Sequence, residues 1–228
     1  MMLTRRHIRV KVLQSLYAFY QSDGNSLEKQ EKFLHYSIAQ MQDLQALLIQ
    51  LIIVMRDHAD NYLQKSQQKY LATELERNPS KSFVENKVIQ LLSQNEMLSE
   101  YLKNKKLNNW SNDNEYVAIL FNNLKEQDWY DAYLRLAEPS FKDDQRFVLQ
   151  LYKEVIAPNE KLYEYLEDHR LTWLDDFPLV NTSIVKMLDK LSERNVASVF
   201  DGTVFKNDED REYSVQLLRK IINNDEKL

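Results

Sequence analysis

Cysteine is absent from the 228-residue chain, which excludes disulfides, thiolate metal sites and thiol nucleophiles. A reducing compartment is compatible with that absence. Glycine is almost as scarce: only Gly24 and Gly202 occur, where average usage would give about sixteen. Tight hairpins, left-handed strand turns and phosphate-cradling loops mostly need glycine, because it takes positive φ without steric cost. A dinucleotide-binding fingerprint or a Walker loop is therefore excluded, and a large sheet is disfavoured. No run of about twenty apolar residues occurs either. The longest apolar stretch, Ala46 to Met55, is interrupted by Gln50 and suits a buried helix better than a membrane span. The basic N-terminus lacks the apolar core and small-residue cleavage site of a signal peptide. These absences point to an all-α, cytoplasmic protein with no membrane partner.

What is present fits a folded chain. Hydrophobic residues make up 43% and charged residues 29%, the balance of a globular protein and not of a disordered one. The length allows one large domain or two modest ones. Caps and breakers place the helices. The first runs from about Arg5 to Tyr20, with Ile8, Val12, Leu16 and Leu13, Tyr17, Tyr20 on neighbouring stripes at helical spacing. Ser22-Asp23-Gly24-Asn25 ends it as a turn. A long helical region then extends from Leu27 towards Glu76, its core face carried by Phe33, Ile38, Met41, Leu44, Leu48, Leu51 and Met55. From Arg56 the pattern thins, and a break is expected near Asp57-His58.

Asn78-Pro79-Ser80 marks a boundary. Ser82 with Glu85 reads as a capping box for a helix reaching about Leu102. The asparagine-rich stretch from Asn104 to Asn114 reads as a loop in which Trp110 packs. Asn112 and Glu115 start another helix, and Asp128 to Ala137 forms a short aromatic one. Pro139 then divides a domain of residues 1–139 from one of residues 140–228. Helices are expected at about Lys142–Ala157, Asn159–His169, Leu179–Arg194 and Asp208–Asn223.

Residues 143–162 echo residues 209–228, with identities at Asp144/Asp210, Gln150/Gln216, Leu151/Leu217, Ile156/Ile222, Glu160/Glu226, Lys161/Lys227 and Leu162/Leu228. Phe147/Tyr213 is among the conservative matches. Two amphipathic helices of similar composition could converge, but unbroken register through the following turn favours duplication. After the first copy, Tyr163, Leu166, Trp173, Ile184 and Leu188 close a core. The second copy carries Val215, Leu218 and Ile222 and then stops. Leaving that stripe open to water would cost roughly 25 cal/mol per Å². Either it docks on the first copy or the chain is a fragment of a longer protein, the reading favoured here.

Charge is distributed unevenly. Arg5, Arg6, Arg9 and Lys11, joined by His7, precede any acidic residue, and no acid occurs before Asp23. Beyond Ser22 the chain holds 26 basic and 35 acidic residues, a net charge of −9 against +4 at the start. That asymmetry is the footprint of a nucleic-acid-binding helix start. Cations in a first turn oppose the helix dipole, each at a cost of roughly 0.3–1 kcal/mol. A phosphate bound there relieves the conflict, because free N–H groups, the dipole and guanidinium forks all favour an anion. Gln14 and Tyr17 continue along the helix as groups for base edges and stacking. The bland alternative is a solvated basic helix start.

Catalytic candidates are poor. Asp143-Asp144 and Asp175-Asp176 are adjacent pairs that point to different sides of a helix, and such pairs are usually caps and solvated faces. His35, His58 and His169 lack ligands at helical spacing, so neither a metal site nor a cofactor is expected. His169 reads as core packing at a helix end beside Trp173. Trp110, Trp129 and Tyr130 read as a small aromatic core under the asparagine-rich loop in preference to a binding surface.

The segment TRRHIRVKVLQSLYAFYQ resembles the opening helix of the NusB family of transcription antitermination factors, in which an arginine cluster leads into a hydrophobic-Gln-small-Leu-Tyr element. Leu13-Gln14-Ser15-Leu16-Tyr17 meets that element, and His7 stands where arginine is common. Phe147 through Trp173 to Leu188 resembles the start of the family's C-terminal subdomain, and Tyr213 to Leu228 resembles the same start again. The resemblance implies an all-helical, non-catalytic protein that binds boxA-like RNA through Arg5, Arg6, His7, Arg9, Lys11, Gln14 and Tyr17. It also implies pairing with ribosomal protein S10 and entry into a transcription elongation complex during antitermination, which bears on transcription termination and its regulation. Residues 56–139 match nothing typical of the family and read as an extended helical middle region. The chain resembles a longer, Bacteroidetes-type variety lacking its final C-terminal subdomain. Two other functions stay open: a helical protein–protein scaffold using Leu27–Glu76 or the aromatic patch, and the helical RNA-binding domain that precedes some RNA methyltransferases.

Overall fold

The computed structural model describes residues 3–21, 26–71, 73–193, 195 and 199–223, with the side chain of Leu75 excepted. The turn expected at Ser22-Asp23-Gly24-Asn25, the helix end at Arg194 and the echo matches at Glu226, Lys227 and Leu228 lie outside the described residues. The fold is all-α, with 76% of it helical. Among the described residues the only strand-like pairing is a single parallel bridge between Leu3 and Phe205.

The helices in chain order are α1 (Arg5–Gln21), α2 (Leu27–Gln67), α3 (Glu74–Arg77), α4 (Lys87–Ser93), α5 (Glu96–Lys105) and α6 (Asn109–Asn112). They continue with α7 (Asn114–Lys125), α8 (Asp128–Leu134), α9 (Phe141–Leu151), α10 (Glu160–His169), α11 (Thr172–Asp189) and α12 (Asp208–Ile222). Tyr152–Ile156 extends α9 as a wider π turn. The chain falls into two compact units. One comprises Met1–Leu44 with Gly202–Leu228, and the other comprises Gln45–Asp201. Pro139, where the sequence places a boundary, lies inside the second unit.

In the first unit α1 pairs with α12. The Leu3 N–H donates to the Val204 carbonyl at 2.7 Å, which ties the segment before α1 to the segment before α12. Ile8, Val12, Leu16 and Phe19 are buried along one face of α1 at spacings of three and four, as helical geometry requires. The second stripe expected on this helix is exposed: Leu13, Tyr17 and Tyr20 are all at the surface. The stripe expected on α12 packs within the first unit. It finds cover against α1, with Leu218 fully buried and Val215 and Ile222 half-buried.

The second unit is built on the rest of α2. Leu47, Leu48, Leu51, Ile52 and Met55 are wholly buried, each contributing about 1.5–3 kcal/mol relative to exposure. An 18-residue window of α2 is apolar enough to cross a membrane, with mean hydropathy 1.5, but 78% of it is buried within the protein. The helix does not break at Asp57-His58. His58 and Tyr62 both pack edge-on against Phe121 of α7, at 5.3 and 5.5 Å, so the polar-looking stretch has a buried side. Its end is followed by Thr73, which forms a capping box with Glu76 for the single turn of α3.

Ser82 and Glu85 do not cap a helix. Asn86 does so instead, its side chain accepting from the Ile89 N–H, and Asn95 caps α5 after a break at Gln94. One long helix is thus replaced by two short ones, each with an asparagine cap. The asparagine-rich stretch is only partly a loop: Lys106 turns left-handed (φ 54°) to close α5, and α6 follows. Trp110 packs as expected, its indole N–H donating to the Leu47 carbonyl at 2.8 Å. The second unit crosses Pro139 without interruption, since Tyr133 stacks on Phe147 with ring centroids 4.0 Å apart. In α11 the expected start at Leu179 moves back to Thr172, with Pro178 inside the helix.

Candidate nucleic-acid interface

α1 carries every residue the sequence nominates for RNA, and the structure sorts them. Arg6 and Arg9 are exposed at its N-terminal end. Val10, Leu13, Tyr17 and Tyr20 continue from Arg6 at spacings of four and three, so basic and aromatic groups share one outward stripe. Gln14 is half-buried beside it, and His7 is turned back towards the helix start. There the His7 Nδ1 lies 2.9 Å from the Thr4 hydroxyl and 3.4 Å from the Thr4 N–H. Lys11 is buried, only 3% exposed, and leaves the candidate surface despite its charge.

The conflict between the arginines and the α1 dipole is met from within the chain. α1 has no acidic residue in its first turn, whereas α12 begins with Asp208, Glu209 and Asp210. Asn207 caps α12 by accepting from the Asp210 N–H at 2.9 Å, and the three acids suit that helix's positive end. Asp210, nearly buried at 8% side-chain exposure, accepts from the Arg5 Nε at 3.1 Å. The anion that the sequence suggests should sit at the start of α1 is thus a carboxylate of this chain.

Tyr213 lies one turn further along α12. The Arg5 guanidinium stands 5.3 Å from its ring centroid, within cation–π range. Its hydroxyl accepts from the Arg9 Nε at 3.1 Å, and this hydrogen bond raises the Arg9 pKa, so Arg9 holds its proton more firmly. Below, Arg219 pairs with Glu31 of α2 through both Nε and a terminal nitrogen, lowering the Glu31 pKa.

Asp210 and Tyr213 were not among the residues nominated from sequence. Their signal was present in two forms, as the acid-rich start of the last helix and as the echo pairs Asp144/Asp210 and Phe147/Tyr213. Both echo aspartates are buried, but their donors differ: the Lys87 backbone N–H for Asp144 at 2.8 Å, and the Arg5 side-chain Nε for Asp210 at 3.1 Å.

The remaining candidates do not converge. Asp143 caps α9 through Ser140, but Asp144 is buried, so that pair is not two solvated acids. Asp175 is exposed and Asp176 buried, on different sides of α11. His169 packs on Tyr165 at 4.1 Å at the end of α10 and remains partly open to solvent, 41% exposed. His58 has its pKa lowered by burial and then by Lys125 and Lys65. Trp110 packs with Tyr165, whereas Trp129 and Tyr130 pack with Phe147, so the three aromatic residues belong to separate clusters. Among the described residues no group of three or more His, Asp or Glu is placed to hold a metal ion. Comparison with known proteins finds no matching family model, curated protein or solved structure.

Proposed function

We propose that the exposed face of α1 binds single-stranded RNA without chemical catalysis. One observation carries the reading: Arg6 and Arg9 share an outward face with Tyr17 and Tyr20. Arginine forks hold phosphates by charge-assisted bonds, and tyrosine rings stack on splayed bases. The resemblance of the opening helix to the NusB family narrows the ligand to a boxA-like element. It also suggests ribosomal protein S10 as partner, an antitermination role within a transcription elongation complex, and a cytoplasmic setting.

A protein–protein scaffold is the competing reading, and the exposure of Val10 and Leu13 favours it, since neither side chain stacks or hydrogen-bonds. The two readings separate in a fluorescence titration of the whole chain with boxA-like and scrambled RNA at two salt concentrations. Arg6→Glu combined with Arg9→Glu is expected to weaken binding by more than about 10-fold with helicity unchanged. Arg5→Glu is the poorer test, because it places a second carboxylate against Asp210. Undiminished binding by the double variant would exclude this face. Equal affinity for both RNAs would remove boxA recognition, and failure to retain purified S10 would remove that partner.

A further inference from the structure

We infer that Tyr213 of α12 is a positioning residue that sets the arginines of α1 for phosphate, an inference that rests on the RNA reading above. Arg5 and Arg9 are four residues apart, hence about 6 Å along the helix axis. Long side chains there would ordinarily sample many rotamers. Instead one tyrosine engages both, its ring facing the Arg5 guanidinium at 5.3 Å and its hydroxyl accepting from the Arg9 Nε at 3.1 Å. Asp210 fixes Arg5 from a second direction, again at Nε.

The choice of nitrogen matters. A guanidinium has five N–H donors in a planar fork: one on Nε and four on the terminal nitrogens. An arginine held at Nε keeps its end-on edge, the two terminal nitrogens, for a bidentate acceptor. Among the described residues Arg5 and Arg9 make no hydrogen bond through those terminal nitrogens. Both side chains are therefore held side-on while their phosphate-binding edges stay available. The ordering cost that an arginine normally meets on binding is met during folding. A tyrosine suits the task because its hydroxyl accepts from one cation while its ring attracts the other, adding no negative charge to repel phosphate.

The test is a double-mutant cycle, read by fluorescence anisotropy of a labelled single-stranded RNA with the full chain. Tyr213→Phe removes the acceptor for Arg9 and keeps the ring beside Arg5. It is expected to weaken RNA binding about 3–10-fold in the wild-type background, the value of one pre-ordered side chain, with unchanged circular dichroism and Tm. In an Arg9→Ala background the same change should have no further effect. A merely structural tyrosine would cost the same in both backgrounds, and that result overturns the inference. Wild-type binding that Tyr213→Phe leaves intact also overturns it, while leaving the RNA reading standing. Absence of salt-dependent binding by the wild type removes both.

Discussion

Asp144 is 2% exposed, yet its carboxylate has two donors, the Lys87 N–H at 2.8 Å and the Tyr133 hydroxyl at 2.7 Å. The Asn86 side chain completes the group by donating to the same hydroxyl at 3.0 Å while capping α4. Burial raises the Asp144 pKa, with the Tyr133 and Lys87 bonds acting against that shift. A raised carboxyl pKa means that folding favours the protonated form. The cost of this group is therefore absent below its unfolded value, near 3.9, and appears as pH rises through the folded value. Tyr133→Phe removes a donor that the charged form needs and is expected to cost about 1–3 kcal/mol at pH 7. The penalty should be smaller near pH 4, where a protonated Asp144 demands less. Urea unfolding at the two pH values checks this, and a penalty that grows on acidification would contradict it. Sequence could not show this role, because adjacent aspartates look alike in a string. Asp143 met the expected fate as a cap, whereas Asp144 is buried and held by donors from other elements, the Tyr133 hydroxyl and the Lys87 N–H.

At the scale of elements, amphipathic spacing carried the helices and failed where local signals competed. α1 was legible because Ile8, Val12 and Leu16 recur at helical spacing, but Leu13, Tyr17 and Tyr20 have the same spacing and lie outside. Periodicity identifies a face without saying which of two faces is covered. α11 shows the converse, since Pro178 argues for a helix start and the chain overrides it. Trp173, Phe177, Val180 and Ile184 are buried on both sides of the proline, and their packing outweighs the lost N–H. The Thr182 hydroxyl donates to the Pro178 carbonyl at 2.8 Å. Pro178→Ala restores the missing donor and relieves the ring's clash with the preceding turn. Allowing for the greater freedom it gives the unfolded chain, it should stabilise by about 1–3 kcal/mol. A higher Tm is the expected readout, and a lower one would mean that the α11 packing depends on the proline.

At the scale of the whole molecule, the sequence separates a +4 start from a −9 remainder, and the candidate site grows out of that contrast. Counting charges overstated the site, however, because it could not see which cations the fold consumes. Lys11 is buried, and Arg5 is neutralised by Asp210 from the other end of the chain. Sequence separation of 205 residues hides that pairing from any local pattern, although the acid-rich start of α12 hinted at it. Arg6 and Arg9 remain as exposed cations with no acidic partner among the described residues, and Arg5 retains part of its fork. This difference is measurable. On a single strand the logarithm of affinity falls with the logarithm of salt concentration by about 0.7 per phosphate neutralised. Two to three arginines predict a slope between about −1.4 and −2.1, whereas the four basic residues of the sequence would predict about −2.8. A titration series across salt concentrations at fixed pH reads the slope directly. A slope near −2.8 would mean that RNA displaces Asp210 from Arg5 and draws Lys11 out of the core. Removing either Arg6 or Arg9 should lower the magnitude by about 0.7, and a slope unmoved by both changes would place the RNA on another surface.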